Sequence, residues 1–271
     1  MKLKNIFRKN KIIFLLPIIL VIFFIVFKIK NAYLYHLFIA EDGPVEWLQF
    51  TFFLLASIFS FLTALSFFKK KNFWPGSIFF ILSLGLFFVA GEEISWGQRI
   101  LGIETPEEIA QKNVQNETTI HNLGFFQGKL PQIYILIGLW GSFGWIIVSK
   151  FKKKTPWIEK FFPPKNLSFY FFPILFYYSW VQYIDELVAV FIRDLSLPST
   201  DFLGKDTLLW LQFWLHEDLN FFDTFIDARD QEPTELIFSL GVFLFAINNF
   251  LTEKSEKKSL SASKTKNLSK K

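Results

Sequence analysis

Apolar residues occur in long blocks that short polar segments separate. A helix that spans a membrane needs about 20 mostly apolar residues. Six blocks come close to this length or exceed it, and they predict spans over residues 12–27, 45–68, 73–90, 133–148, 167–192 and 235–251. We therefore expect an all-α protein, a polytopic transmembrane helical bundle of about six spans. Residues 1–252 would form a single transmembrane domain, and the basic residues 253–271 a disordered cytoplasmic tail.

The composition agrees with a membrane protein and removes several other classes. Apolar residues make up 52% of the 271 residues, aromatic residues make up 20%, and Phe alone accounts for 38. A soluble globular chain holds about 45–50% apolar residues even when Gly is counted. The sequence contains no Cys, which excludes disulfide bonds, thiolate metal sites and a cysteine nucleophile.

The basic residues are distributed unequally between the two sides of the predicted bundle. Of the 29 Lys and Arg residues, 21 lie in the N-terminal tail, the 69–71 turn, the 150–165 loop and the tail from 253, and only 8 in the other loops. The positive-inside rule then predicts a multi-pass protein with both termini in the cytoplasm. The high Phe and Lys content favours a bacterial source and hence an inner (plasma) membrane. No small-x-small cleavage site follows residues 12–27, so we interpret them as an uncleaved span. Orientation and anionic lipid explain the basic face, and we expect no nucleic-acid partner.

Acidic residues mark the start of two spans on the predicted outer side. Glu41-Asp42-Gly43-Pro44-Val45-Glu46 precedes the second span, and Asp230-Gln231-Glu232-Pro233-Thr234-Glu235 precedes the sixth. One interpretation is that both runs are helix caps, because Pro fits the first turn and carboxylates favour the positive end of the helix dipole. The other interpretation is a carboxylate pair, Glu46 with Glu235, at one depth in the bundle.

The third span ends in a second acidic motif, Gly91-Glu92-Glu93-Ile94-Ser95-Trp96-Gly97-Gln98-Arg99. Adjacent glutamates at the end of a membrane helix are costly unless they reach water, a cation or a partner. Glu92 and Glu93 are therefore candidates for a catalytic base, and Arg99 is a candidate for holding an anionic group. Alternatively, Glu92 forms an internal ion pair with Arg99, which lies two turns further on.

Further polar candidates fall in the outer loops and in the fifth span. Carboxylates with one or two imidazoles suit a divalent metal ion, which is the candidate cofactor. The candidate ligands are His121, His216, Asp185 and Glu186, and Glu117 would belong to the same polar cluster as Glu46 and Glu235. We also predict short amphipathic helices over residues 105–112 and 208–215, which would cover the outer site.

Two resemblances accompany these motifs. The stretches Glu41–Glu46, Gly91–Arg99 and Asn113–Asn122 resemble those of a family of bacterial polytopic membrane proteins to which no activity is attached. Glu92-Glu93, Arg99 and His216-x-x-x-Asn220 are loosely similar to CAAX-type glutamic intramembrane proteases. That likeness implies a glutamate pair that activates water, with His and Asn as partners. Five residues separate Glu93 from Arg99 here, where three separate the glutamates from the arginine in that family.

The preferred hypothesis is a membrane-embedded enzyme that acts on a lipid or lipid-linked substrate at the outer interface. Water activated by a carboxylate or a metal, or an acceptor hydroxyl, would attack a substrate that enters from the lipid bilayer. A proton- or cation-coupled transporter is an alternative, because acids inside membranes also relay protons and cations. A non-catalytic membrane assembly protein is another, and a protease-like activity is the weakest alternative.

Overall fold

The structure is a computed structural model that describes residues 11–102, 105, 119, 129–151, 156–184 and 230–268, and all of its regular elements there are helical. This confirms the all-α prediction for the described part of the chain. The helices are α1 Lys11–Lys30, α2 Ala32–Phe38, α3 Pro44–Lys69, α4 Phe73–Glu93, α5 Gln98–Leu101, α6 Leu130–Phe151, α7 Ser168–Ser179 and α8 Gln231–Leu268. Three short 3-10 turns, Ser95–Gly97, Pro156–Lys160 and Lys165–Leu167, and a π-helical turn, Trp180–Ile184, complete the set.

Five described helices are long and apolar enough to cross a membrane: α1, α3, α4, α6 and the part of α8 from Gln231 to Glu256. They correspond to five of the six predicted spans. The remaining predicted span, residues 167–192, is helical from Ser168 to Ile184, and its last eight residues lie outside the described ones. Residues 106–112 and 208–215, predicted as short loop helices, also lie outside them.

The last helix is longer than predicted. It continues to Leu268, through residues for which the sequence predicts a disordered tail. The physical reason is local, because residues 242–268 contain neither Gly nor Pro. These are the two residue types that cost the most free energy inside a helix.

The helices pack as two neighbouring pairs with α8 between them. α3 lies along both α4 and α8, and α7 lies along α6 and α8. Where α3 meets α4, Ser57 and Ser83 each donate a hydrogen bond to the backbone carbonyl of the other, at 2.8 and 3.0 Å. The central core is aromatic and aliphatic, and its buried members include Phe53, Leu86, Tyr170, Phe171, Ile174, Phe238, Val242 and Phe245.

α6 approaches α7 through a face of small residues. A Cβ atom on Gly141 would lie 2.0 Å from the Phe171 ring, and one on Gly138 would lie 2.7 Å from the Leu175 side chain. Small residues let membrane helices approach closely, where dispersion replaces the hydrophobic effect as the source of attraction. These glycines therefore fix the distance between α6 and α7.

One end of the bundle, which we call the basic end, carries an ion-pair cluster formed by Lys70, Lys160, Glu253 and Glu256. Glu253 is 1% exposed and accepts hydrogen bonds from both lysines. Lys160 also lies 3.2 Å from the carboxylate of Glu256. Burial lowers the pKa of Lys160, but the hydrogen bonds and charges of the two glutamates outweigh burial and leave its pKa raised. Glu253 thus anchors α8 to the turn after α3 and to the 156–160 turn.

Substitution of Gly141 tests the helix contact. We expect Gly141→Ala to lower the free energy of unfolding by about 1–3 kcal/mol, because Phe171 is fully buried and cannot move aside. The matched control is Gly85→Ala, because a Cβ atom there has no neighbour within 4 Å. Thermal unfolding in detergent should show a lower midpoint for Gly141→Ala alone. Equal midpoints for the two variants would contradict the close contact.

Substitution of Glu253 tests the ion-pair cluster. We expect Glu253→Gln to destabilise the protein by about 3 kcal/mol, because two lysines lose their shared buried carboxylate. Glu256→Gln should change stability by less than about 1 kcal/mol, since its side chain is 41% exposed. Thermal unfolding of the two variants in the same detergent checks this order. A larger effect at Glu256 would argue against Glu253 as the anchor.

Candidate functional site

The opposite end of the bundle collects carboxylates from three helices. We call Glu46, Glu92, Glu93, Glu232 and Glu235 the acid cluster. Glu46 lies in the first turn of α3, Glu92 and Glu93 end α4, and Glu232 and Glu235 lie in the first turns of α8. The two helix N-termini place positive dipole ends near these acids, which favours negative charge there.

The motif around Pro44 forms the start of α3, as the capping interpretation predicts. Pro44 occupies the first turn of α3 after Gly43, and the carboxylate of Glu46 accepts a hydrogen bond from the backbone N–H of Asp42 at 2.6 Å. Glu46 also interacts electrostatically with Glu93 and with Glu235. Glu46 therefore serves the start of α3 and also adds negative charge near Glu93 and Glu235, while a direct pair of Glu46 with Glu235 stays a prediction.

The end of α4 is shaped by an unusual turn. Ser95, Trp96 and Gly97 have φ values of 47°, 56° and 76°, a left-handed region that residues with side chains rarely adopt. The turn folds the Trp96 ring back over Gly91, where a Cβ atom would lie 2.8 Å from the ring. The indole N–H then donates to the buried carboxylate of Glu92 at 2.6 Å. Glycine at 91 and a reversed chain at 95–97 thus hold Glu92 in place.

Glu93, the neighbour of Glu92, is half-buried and close to the other acids of the cluster. The carboxylates of Glu46, Glu92, Glu232 and Glu235 all lie near enough to repel its charge. Within the described segments, no Lys or Arg forms an ion pair with Glu93 or Glu235. The arrangement brings carboxylates from separate helices together without a described cation between them.

Glu235 has a phenol as its direct partner. The hydroxyl of Tyr178 on α7 donates to the buried carboxylate of Glu235, and it also lies 3.3 Å from the side-chain oxygen of Gln231. The Tyr178 ring stacks on Tyr134 of α6, with centroids 4.6 Å apart and planes 12° from parallel. The run of aromatic residues around Tyr178 in the sequence is typical of a belt at the membrane interface, but the Tyr178 side chain is buried inside the bundle.

Gln49 contributes a buried amide beside the acids. Its Nε2 group donates to the backbone carbonyl and to the carboxylate of Glu232, both at 3.0 Å. Its Oε1 atom is buried and has no hydrogen-bond partner among the described residues. A buried acceptor without a donor is unfavourable, so this oxygen is suited to a donor group on a ligand.

At the edge of this end, Lys28 forms an ion pair with Asp230. Lys28 at the end of α1 lies 2.6 Å from the carboxylate of Asp230, and the hydroxyl of Tyr35 on α2 donates to the same carboxylate at 2.5 Å. These contacts tie α1 and α2 to the start of α8. The charge of Asp230 is therefore matched by Lys28.

The structure describes the side chains of four of the predicted site residues. Glu46, Glu92, Glu93 and Glu235 lie together at one end, and their catalytic role stays a prediction. Arg99 belongs to α5, and its side chain lies outside the described residues. The remaining candidates lie outside the described residues altogether: Glu117, His121, Asp185, Glu186 and His216.

The acid cluster by itself does not form a metal centre. Across the described residues, no group of three or more His, Asp or Glu side chains is placed to hold a metal ion. The predicted ligands His121, His216, Asp185 and Glu186 lie outside the described residues, so the divalent metal stays a prediction.

Gln49, Glu232 and Tyr178 are not among the site residues predicted from the sequence. For Gln49 and Glu232, the spacing along the helix could have indicated a place in the site. Gln49 lies one helical turn after Glu46, and Glu232 lies one turn before Glu235, so both share a face with a candidate acid. No such signal exists for Tyr178, which stands in a run with Tyr177, Trp180 and Tyr183. Only the packing of α7 distinguishes it from these neighbours.

The hydrogen bond to Glu92 can be tested at Trp96. We expect Trp96→Phe to lower the free energy of unfolding by about 2 kcal/mol, because a buried carboxylate oxygen loses a donor while the ring contact is kept. Trp74→Phe is the control, since Trp74 is 70% exposed. Thermal unfolding should separate the two variants, and a loss at Trp74 as large as that at Trp96 would contradict this role.

Comparison of the chain with models of protein families, with curated proteins and with solved structures gave no match. Neither of the resemblances described above is therefore supported by a match. The geometry of the acid cluster has to carry the functional argument by itself.

Proposed function

We propose that the protein is a membrane-embedded enzyme that acts on a lipid or lipid-linked substrate at the acid cluster. The observation that carries this proposal is the position of half-buried Glu93 close to the buried pair of Glu235 and Tyr178. Neighbouring carboxylates that repel each other share protons, so one can accept a proton while the other donates one. Acid–base catalysis needs such a pair.

Glu93 is the proposed base. It takes the proton of a water or an acceptor hydroxyl, whose oxygen forms the new bond to the carbon or phosphorus of the substrate. The bond to the leaving oxygen breaks, and that oxygen receives a proton from Glu235, with Tyr178 holding the carboxyl in position. Gln49 Oε1 accepts a hydrogen bond from the substrate, and Arg99 is the proposed partner for an anionic group.

The location of the cluster suits a lipid substrate. Glu46, Glu93 and Glu235 lie at the ends of membrane-length helices, where the reactive groups of lipids lie in a bilayer. The lipid-facing surfaces of the helices expose many large apolar side chains. With the sidedness predicted from the basic residues, the reaction takes place at the outer face of a plasma membrane.

The middle of the bundle favours an enzyme over a transporter. Between the acid cluster and the basic end, the described spans contain no Asp, Glu, His, Lys or Arg. The core there is formed by residues such as Phe53, Phe171, Phe238 and Val242. A proton or cation pathway across the membrane typically uses ionisable relays along its length, whereas a site for chemistry needs them at one end.

The test is lipid conversion by the reconstituted protein. Wild type and the isosteric variants Glu93→Gln and Glu235→Gln are incubated in vesicles of bacterial total lipid, and lipid species are followed by mass spectrometry. We expect time-dependent conversion by wild type and a loss of about 100-fold or more in each variant. Glu256→Gln at the basic end is the control and should retain the wild-type rate.

Two outcomes would overturn this proposal. Equal conversion by wild type and both cluster variants would remove the acid cluster from the chemistry. The absence of conversion together with proton or cation flux that the same two variants abolish would identify a transporter. Unfolding midpoints measured on each sample separate a loss of chemistry from a loss of fold.

A further inference from the structure

A cavity of about 510 Å³ lies at the basic end, far from the acid cluster. It is lined by α1, α6, α8 and the 159–166 segment and opens to the surface. Its volume falls in the range of about 300–1,000 Å³ that is typical of small-molecule sites. Nothing in the proposed reaction uses this cavity, so its occupant is a separate question.

Two of the described lysines, Lys160 and Lys165, line the cavity, and they differ in their partners. The ammonium of Lys165 lies 4.8 Å from the ring centre of Trp145, which holds it by a cation–π interaction. Among the described residues, no carboxylate forms an ion pair with Lys165. Lys160, which also lines the cavity, is engaged by Glu253 and Glu256. Lys165 is therefore the cation placed to meet an anionic ligand.

Neutral polar groups complete the polar half of the wall. Asn248, Asn249 and Thr252 project from α8, and Ser149 projects from α6. The Asn249 amide donates to the Phe245 carbonyl at 3.3 Å, and the Ser149 hydroxyl donates to the Ile146 carbonyl at 2.7 Å. Their oxygen atoms remain able to accept hydrogen bonds, as from a hydroxylated group. One carboxylate, Glu159, also lines the cavity and disfavours a multiply charged anion.

The rest of the wall is apolar, and part of it comes from membrane-length helices. Phe14 comes from the first turns of the membrane-length helix α1, and Val148 comes from the end of α6. A ligand here meets hydrocarbon-like surface on one side and polar groups on the other. This division matches an amphiphile at the membrane interface.

We propose that this cavity binds the headgroup of a phosphodiester lipid that carries one negative charge and a neutral hydroxylated group. Lys165 pairs with the phosphate, and the amide and hydroxyl side chains of α8 bind the hydroxyl groups. The basic end is the predicted cytoplasmic side, where such anionic lipids meet basic protein surfaces. A free phosphate shares the charge but lacks the apolar part.

The experiment titrates the purified full-length protein in neutral detergent with phosphatidylglycerol, phosphatidylethanolamine or inorganic phosphate, and follows the unfolding midpoint. We expect a saturable rise with phosphatidylglycerol, since a ligand that binds the folded state raises its stability. Lys165→Met should weaken this lipid about tenfold, the loss expected for one charge-assisted hydrogen bond. Lys165→Arg should keep the binding.

Lys150→Gln is the matched control, because Lys150 is exposed on the same end and does not line the cavity. Equal weakening by Lys150→Gln and Lys165→Met would overturn the proposal in favour of general surface charge. An equal rise with phosphatidylethanolamine or with inorganic phosphate would overturn the headgroup assignment. Retention of the lipid in native mass spectra gives a second measurement if Lys165→Met lowers the midpoint by itself.

Discussion

Hydrocarbon has a low dielectric constant, and this confines charge to the two ends of the bundle. α8 shows the constraint most directly, because it contributes Glu235 to the acid cluster and Glu253 to the ion pairs of the basic end. The two residues are 18 positions apart, which corresponds to about 27 Å along a helix. This is close to the roughly 30 Å of a bilayer core. Everything between them has to be apolar or internally hydrogen-bonded.

The two ends satisfy this constraint in different ways. At the basic end Glu253 and Glu256 each meet a lysine, and the cluster fastens α8 to its neighbours. In the acid cluster, Glu93 and Glu235 form no ion pair with a described Lys or Arg, and the hydrogen-bond donors to the acids include a phenol, an indole and an amide. A fastened cluster is a structural feature, whereas mutually repelling carboxylates store free energy that a substrate or a proton can release. This contrast is why we place chemistry at the acid cluster.

The site also depends on contacts far from it. The glycines of α6 let α7 come close, and α7 in turn carries Tyr178 to Glu235. In the same way, Gly91 makes room for the ring of Trp96, whose indole holds Glu92. Small residues therefore determine where the polar groups lie, because polar side chains inside a membrane protein can only reach partners that backbone packing brings near.

The sequence by itself determined the helical class, five membrane-length helices, four of them to within three residues of their observed ends, and the presence of Glu46, Glu92, Glu93 and Glu235 at the ends of spans. These features follow from local hydropathy, which depends on neighbours along the chain. The tertiary structure decided which polar side chains contact each other. The spans are apolar on most sides, so their sequences do not indicate which face turns inward. For that reason the sequence pattern does not indicate the partners of Tyr178 or Glu253. Packing places Tyr178 beside Glu235 and Glu253 beside Lys70 and Lys160.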